Sequence, residues 1–174
     1  MAFYQTVAPQ IASRIEVLDG SSVEVPFGLQ PGLPYRMALV PVGTTVSEFI
    51  LAQKLARELA AVRPDLELVY LGRSIDDAAL MSSGNCLVTG AIADDELTRV
   101  LDQYRIGRAF MLSAVALFDD RLARLIFSCG IPVAKCGWSR DGNRSQFVIL
   151  DPGMPVADIA SFLDRWCSQG SDKT

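Results

Sequence analysis

Not one histidine occurs in the 174 residues of this chain. That absence removes the commonest general base, and with it the Ser-His and Cys-His nucleophile pairs that rely on an imidazole to take a proton near neutral pH. The four cysteines, Cys86, Cys129, Cys136 and Cys167, lie far apart and form no C-x-x-C pair. A zinc site would need thiolates or carboxylates gathered from scattered positions, so no metal is expected. The cysteines read as free, mostly buried thiols of a soluble protein in a reducing cytoplasm. No basic block stands out among the 16 Lys+Arg, and a net charge of −4 with pI near 4.8 argues against nucleic acid or an anionic membrane surface as partner.

Long apolar runs are missing as well. Ala109 to Phe118 is the longest near-apolar run, far short of the roughly 20 residues that span a bilayer. The opening MAFYQTVAPQ has no basic region followed by an apolar core, so it does not read as a signal peptide. Neither G-x-G-x-x-G nor a Walker loop is present.

What remains is half hydrophobic and 21% charged, enough for one domain with a sizeable core and some length left for an extension. Residues 1–35 read as that N-terminal extension and linker. Val7, Ile11, Ile15 and Leu18 recur at helical spacing over Gln5 to Leu18, Asp19-Gly20-Ser21-Ser22 breaks the pattern, and Val23, Val25 and Phe27 alternate as in a short edge strand. Gly28, Pro31, Gly32 and Pro34 form the linker. From Arg36 the rhythm becomes strand, helix, strand. Short apolar runs predict strands at Met37–Val42, Leu66–Leu71, Asn85–Val88, Arg108–Leu112, Pro132–Lys135 and Gln146–Leu150.

Helices are expected between these runs. One spans Val46 to Val62 with Phe49, Ala52, Leu55, Ala56, Leu59 and Val62 inward and Pro64 as its stop; a short one runs to Met81 capped by Ser74. Another opens at Asp94-Asp95-Glu96 and carries Leu97, Val100, Leu101 and Tyr104 inward. A fourth buries Leu122, Leu125, Ile126 and Cys129 before Gly130, and a last one runs from Val156 to Cys167. The fold class is therefore α/β: a Rossmann-like doubly wound parallel sheet of about six strands with helices on both faces, over residues 36–168, followed by a frayed tail at 169–174.

In such a fold ligands bind at the carboxyl ends of strands, and the candidate residues there are few. Gly43-Thr44-Thr45, after the first strand, can offer backbone N–H groups to a phosphate; equally, Thr45 to Glu48 fits a capping box. Gly72-Arg73 follows the second strand, where Arg73 can meet a diphosphate or lie solvated near Asp76 and Asp77; Thr89-Gly90 follows the third. Ser113 ends the fourth, and Asp119-Asp120 read either as an acid pair or as capping acids beside a helix dipole. Trp138, Arg140 and Arg144 sit in a polar loop that suits a ligand or partner contact as well as a plain connection.

With these elements placed, the chain resembles the C-terminal, nucleotide-sugar-binding domain of group 1 GT-B glycosyltransferases of the retaining type. Ser22-Val23-Glu24-Val25-Pro26-Phe27-Gly28 looks like the segment entering that domain, and Arg36 to Arg57 is similar to its first strand, loop and helix. Leu68 to Gly72, Leu87 to Gly90, Asp94 to Leu97, Leu112-Ser113 and Gly130-Ile131-Pro132-Val133 resemble later family segments in order. The likeness covers roughly residues 22 to 166 and departs at the chemistry. The family's two glutamates, which hold the donor's ribose and sugar, correspond to Leu117 and Leu125, and its phosphate-neutralising basic residue falls near Ser47. No lysine or arginine lies between Arg36 and Lys54.

The resemblance implies a nucleotide-sugar-binding half of a larger enzyme, or a degenerate and non-catalytic version of one. Its ligand would be a nucleotide-sugar donor, its partner a second domain or subunit, and any activity hexosyl transfer not performed by this chain alone. The nucleotide rim would comprise Gly43, Thr44, Gly72, Arg73, Thr89, Gly90 and Ser113. No catalytic residue and no further cofactor is assigned. One alternative is a non-catalytic protein-interaction module on the same scaffold, with Trp138 on its rim; another is a small flavodoxin-like enzyme using the Gly43 loop.

Overall fold

The computed structural model describes residues 35–93, 95–113, 120–136 and 147–168. The expected Gln5–Leu18 helix, the Val23–Phe27 strand, the linker, Leu117, Asp119, the Trp138–Arg144 loop and the tail after Ser168 lie outside the described residues.

Among the described residues six strands form one sheet: β1 (Tyr35–Val40), β2 (Leu66–Tyr70), β3 (Cys86–Val88), β4 (Ile106–Met111), β5 (Val133–Cys136) and β6 (Phe147–Leu150). Their order is β3-β2-β1-β4-β5-β6 and every pairing is parallel. Central strands buried on both faces explain why these segments are nearly continuous apolar runs. Along β1, Met37 and Leu39 face one layer while Ala38 and Val40 face the other, as the two-residue period of a strand requires.

Helices cover both faces, as a doubly wound sheet demands. On one side lie α1 (Val46–Val62), α2 (Asp77–Met81) and α5 (Val156–Ser168), whose Leu55, Leu59, Leu80, Ile159 and Leu163 pack on Met37, Leu68, Tyr70 and Phe110. On the other, α3 (Leu97–Gln103) and α4 (Asp120–Ser128) bring Leu97, Leu101, Ala123 and Ile126 onto Val69, Ala109 and Val133. Each fully buried leucine contributes about 1.5–3 kcal/mol relative to exposure.

α1 ends where expected, because Pro64 disfavours helical geometry at the preceding Arg63, which leaves the helix at φ −137°. Arg63 then joins three elements. Its guanidinium donates to both carboxylate oxygens of Asp65 (3.0 and 3.1 Å), to Asp164 Oδ1 (3.0 Å) and to the Ser168 hydroxyl (2.8 Å). Gly130, at φ +80°, terminates α4 in the left-handed conformation expected of it.

Several element edges differ from expectation. β1 begins two residues earlier than Met37, and β4 includes Ile106 and Gly107, because Ile106 pairs with Arg36 at the start of β1; Arg108 lays its guanidinium over the Trp166 ring at 4.6 Å. The cap of α2 is Asp76, which accepts from Ala79 N–H at 2.9 Å; Ser74 instead donates to Asp77. α3 starts at Leu97, after a turn in which Glu96 accepts from Ala93 N–H. Val62 is exposed rather than inward: a 17-residue helix runs about 25 Å against about 20 Å for the six-residue β1, so its last residue overshoots the sheet. Leu125 is 36% exposed, since the buried stripe of α4 centres between Ala123 and Ile126. All four cysteines are free, and three of them are buried.

Candidate functional site

The sheet order reverses between β1 and β4, and the carboxyl edge at such a switch point is where open α/β sheets place ligands. The main chain continues the sheet geometry past the strand ends here. Leu71 N–H donates to Leu39 O, and Leu112 N–H to Val40 O, both at 2.9 Å. The segments after β2, β1 and β4 therefore leave the sheet side by side. All seven rim residues, Gly43, Thr44, Gly72, Arg73, Thr89, Gly90 and Ser113, lie on the ends of the four adjacent strands β3, β2, β1 and β4.

Three of the seven are joined directly. Gly72 and Gly90 form an antiparallel bridge, and Gly72 N–H donates to Thr89 Oγ1 at 2.9 Å. Thr89 Oγ1 in turn lies within donating distance of Tyr70 O (3.3 Å) and Gly90 O (3.1 Å), so this hydroxyl is committed to holding two loops together. Gly72 at φ +120° and Gly90 at +77° adopt backbone conformations that suit glycine. A Cβ at Gly72 would lie 3.8 Å from Pro41 Cγ, which places this pair beside the turn after β1.

That turn is organised around Glu48. Thr45 caps α1 and forms the complete capping box: Glu48 N–H donates to Thr45 Oγ1 (3.3 Å), and Thr45 N–H to Glu48 Oε2 (3.4 Å). The carboxylate does more, accepting from Val42 N–H through Oε1 and from the Thr45 hydroxyl through Oε2, each at 2.8 Å. Glu48 is buried while Gly43, Thr44 and Thr45 are exposed. The capping box read from Thr45 to Glu48 is thus present.

Arg73 is exposed, and no ion pair among the described residues includes it. Asp76 and Asp77 are instead engaged by Ala79 N–H and the Ser74 hydroxyl. Ser113 sits half-buried just beyond β4.

Sequence reasoning missed Tyr70. Its hydroxyl is buried without a hydrogen-bond partner, a state that costs about 1–3 kcal/mol. Burial first, then the nearby charge of Glu48, pushes the phenol up to about 12, so it stays protonated. The available signal was a lone tyrosine closing the otherwise aliphatic end of Leu-Glu-Leu-Val-Tyr. Three of the four thiols are poor nucleophiles: burial pushes Cys86 up to about 12 and Cys167 up to about 11, and raises Cys136 too. Among the described residues no group of three or more Cys, Asp or Glu is placed to hold a metal, and no helix is long and apolar enough to cross a membrane.

No known family model matches this sequence, and no curated protein matches it. Solved structures do. The chain aligns with a lipopolysaccharide outer core galactosyltransferase (WaaB) at TM-score 0.60 and 18% identity, over 81% of this chain and 42% of that one. It aligns with the C-terminal domain of a group 1 family glycosyl transferase (LpcC) from Francisella tularensis at TM-score 0.55 and 16% identity, over 78% of this chain and 77% of that one. The catalytic domain of a cholesterol-α-glucosyltransferase from Helicobacter pylori gives TM-score 0.56 and 17% identity, over 79% and 88%. The fold is that of the C-terminal-type domain of GT-B glycosyltransferases.

The chain spans about two fifths of the length of the galactosyltransferase, and at such identities the likeness is one of fold. Within it, Ser47, at the expected place of the family's basic residue, carries a hydroxyl 3.2 Å from Thr45 Oγ1 and no positive charge. Leu125, at the expected place of an acid, offers neither acceptor nor charge to a ribose.

Proposed function

We propose that this domain is the nucleotide-sugar half of a GT-B-type assembly, in a degenerate form that does not transfer a sugar by itself. What supports the reading is that Gly43, Thr44, Gly72, Arg73, Thr89, Gly90 and Ser113 follow the carboxyl ends of the neighbouring strands β1, β2, β3 and β4, on the edge where the sheet order reverses between β1 and β4. Arg73 is the exposed cation there that suits a phosphate. The loss of chemistry follows from what stands in place of charge. Transfer from a nucleoside diphosphate depends on stabilising the negative charge that builds on the departing phosphate. α1 supplies no cation before Lys54, and Leu125 supplies no carboxylate for the donor sugar. The missing groups, together with an acceptor-binding surface, would come from a partner domain or subunit.

Calorimetry with UDP, GDP and their sugars tests the reading. Weak binding in the millimolar range, lost in Arg73→Ala, is expected, with no sugar released or transferred by the chain alone. No heat with any of them up to about 10 mM would sink nucleotide binding, and turnover by the isolated chain would sink the degenerate form.

A second reading, an interaction module, is favoured by one observation. Val42 in the turn after β1, Val46 and Ile50 at the start of α1, and Ile75 ahead of α2 are exposed apolar side chains at this same edge. Size-exclusion chromatography with light scattering separates the two: a strict monomer without a co-purifying chain counts against the module.

A further inference from the structure

The connections from β1 through to β5 each carry a helix, α1 to α4 in turn. The last connection, from β5 to β6, is residues 137–146, short of the dozen or more that a crossover with its own helix takes. Right-handed crossovers place α4 and this last connection on the same face of the sheet. On the opposite face β6 is well covered, because Val148 and Leu150 pack with the Ile159 and Leu163 side of α5.

The α4 face of β6 is different. Phe147 lies beside Val133, which belongs to the α4 layer, so Phe147, Ile149 and Lys135 share that side. All three are only half-buried, and Ile149 joins neither core layer. Phe127 of α4 is 38% exposed and meets the Phe147 ring edge-on at 6.0 Å, while Lys135 Nζ lies 5.0 Å from the centre of that ring. Phe127, Phe147 and Ile149 thus form an apolar strip between α4 and the free edge of the sheet.

The sequence holds a segment that fits it. Val7, Ile11, Ile15 and Leu18 make an apolar stripe at helical spacing, with Thr6, Ser13 and Glu16 on the opposite side and Pro9 near the start. From Val7 to Leu18 a helix rises about 17 Å, close to the roughly 13 Å length of a four-residue strand such as β6. Residues 19–34 separate the stripe from β1 and reach about 50 Å when extended. Crossing from β1 over β4 and β5 to β6 takes three strand spacings, about 14 Å.

We infer that residues 5–18 dock on this strip as the helix that the last crossover does not supply, with Val7, Ile11, Ile15 and Leu18 against Phe127, Phe147 and Ile149. The inference is independent of the nucleotide reading, since it concerns the far edge of the sheet rather than the rim.

A double-mutant cycle on the full chain, read by urea unfolding, tests it. Ile11→Ala/Ile15→Ala changes the stripe, Phe127→Ala/Ile149→Ala changes the strip, and Val46→Ala/Ile50→Ala changes the exposed apolar start of α1 as a control surface. The stripe variant should raise the unfolding constant about tenfold or more in the parent, and by less than about threefold once the strip is changed. In the α1 variant it should keep its full effect. If the stripe variant does not fold, Ile11→Val/Ile15→Val takes its place in the same cycle, with a smaller effect that must still vanish in the strip variant. A neutral stripe, additive stripe and strip effects, or loss of the effect in the α1 variant would each overturn the inference. Light scattering completes the test: a monomer with the coupling intact supports docking within one chain, and a dimer whose coupling fades on dilution overturns it in favour of a second copy.

Discussion

Raising the pH should unfold this domain through groups in its core rather than on its surface. Cys86 and Cys167, both fully buried, are pushed by desolvation from 9.0 up to about 12 and about 11, and Tyr70 from 10.0 up to about 12. A folded pKa above the unfolded one means that the unfolded chain loses its proton first. The stabilisation is thus complete below about pH 9 and is lost as pH rises through the folded values. At pH 11, shifts of this size remove about 3 kcal/mol through Cys86, about 2 through Cys167 and about 1 through Tyr70. Together that is about 6 kcal/mol, comparable to the whole stability of a small domain. The assay is urea unfolding followed by far-UV circular dichroism, under reducing conditions, at intervals from pH 8 to pH 11. The Cys86→Ala/Cys167→Ala double variant starts less stable because of its cavities, so the quantity compared is the decline relative to each protein's own value at pH 8. That decline should shrink to well under half of the parent's. A flat profile to pH 11, or an equal decline in the double variant, would refute the argument.

Gly72→Val should cost about 1–3 kcal/mol in urea unfolding, because a β-branched residue is strained at φ +120°, where Gly72 holds the Thr89 hydroxyl; an unchanged midpoint would show that the loop relaxes freely. Arg63→Ala should lose about 1–2 kcal/mol, discounted for the exposure of Asp65, and Arg63→Lys should recover little of it, since an ammonium cannot bond Asp65, Asp164 and Ser168 together. Full recovery by lysine would make the contact one of charge alone. Leu125→Glu should change stability by no more than about 0.5 kcal/mol at its partly exposed position. It should create no transfer activity in a donor-hydrolysis assay, because the cation for the leaving phosphate is also missing.

The sequence made the elements legible because the periodicities were clean. Six apolar runs became six strands, and the Val46–Val62 helix has its expected bounds since a capping Thr45 and a helix-stopping Pro64 mark its two ends. Strand order was less accessible: nothing local in Met37 or Arg108 says that they pair, and only the burial of all faces at once selects the arrangement. Where single residues went against pattern, geometry explains it. Leu125 keeps the helical spacing yet lies off the buried stripe of α4, and Val62 overshoots the sheet. At the candidate site the capping box was readable, but the bond from Val42 N–H was not, since it depends on how the turn folds back over Glu48. Tyr70 gave even less warning, because a tyrosine ending a strand normally finds a partner for its hydroxyl.

The order β3-β2-β1-β4-β5-β6 has a consequence for synthesis on the ribosome. The chain emerges with β1, β2 and β3 first, so β1, destined for the middle of the sheet, begins life as an edge with its backbone groups unpaired. The outer layer of α1 waits still longer, because α5 and the Asp164 and Ser168 partners of Arg63 are the last described residues to be made. A nascent chain halted before β4 therefore presents both a sticky strand edge and a bare helix face. Translational pausing within the first half is where this protein would depend most on a chaperone.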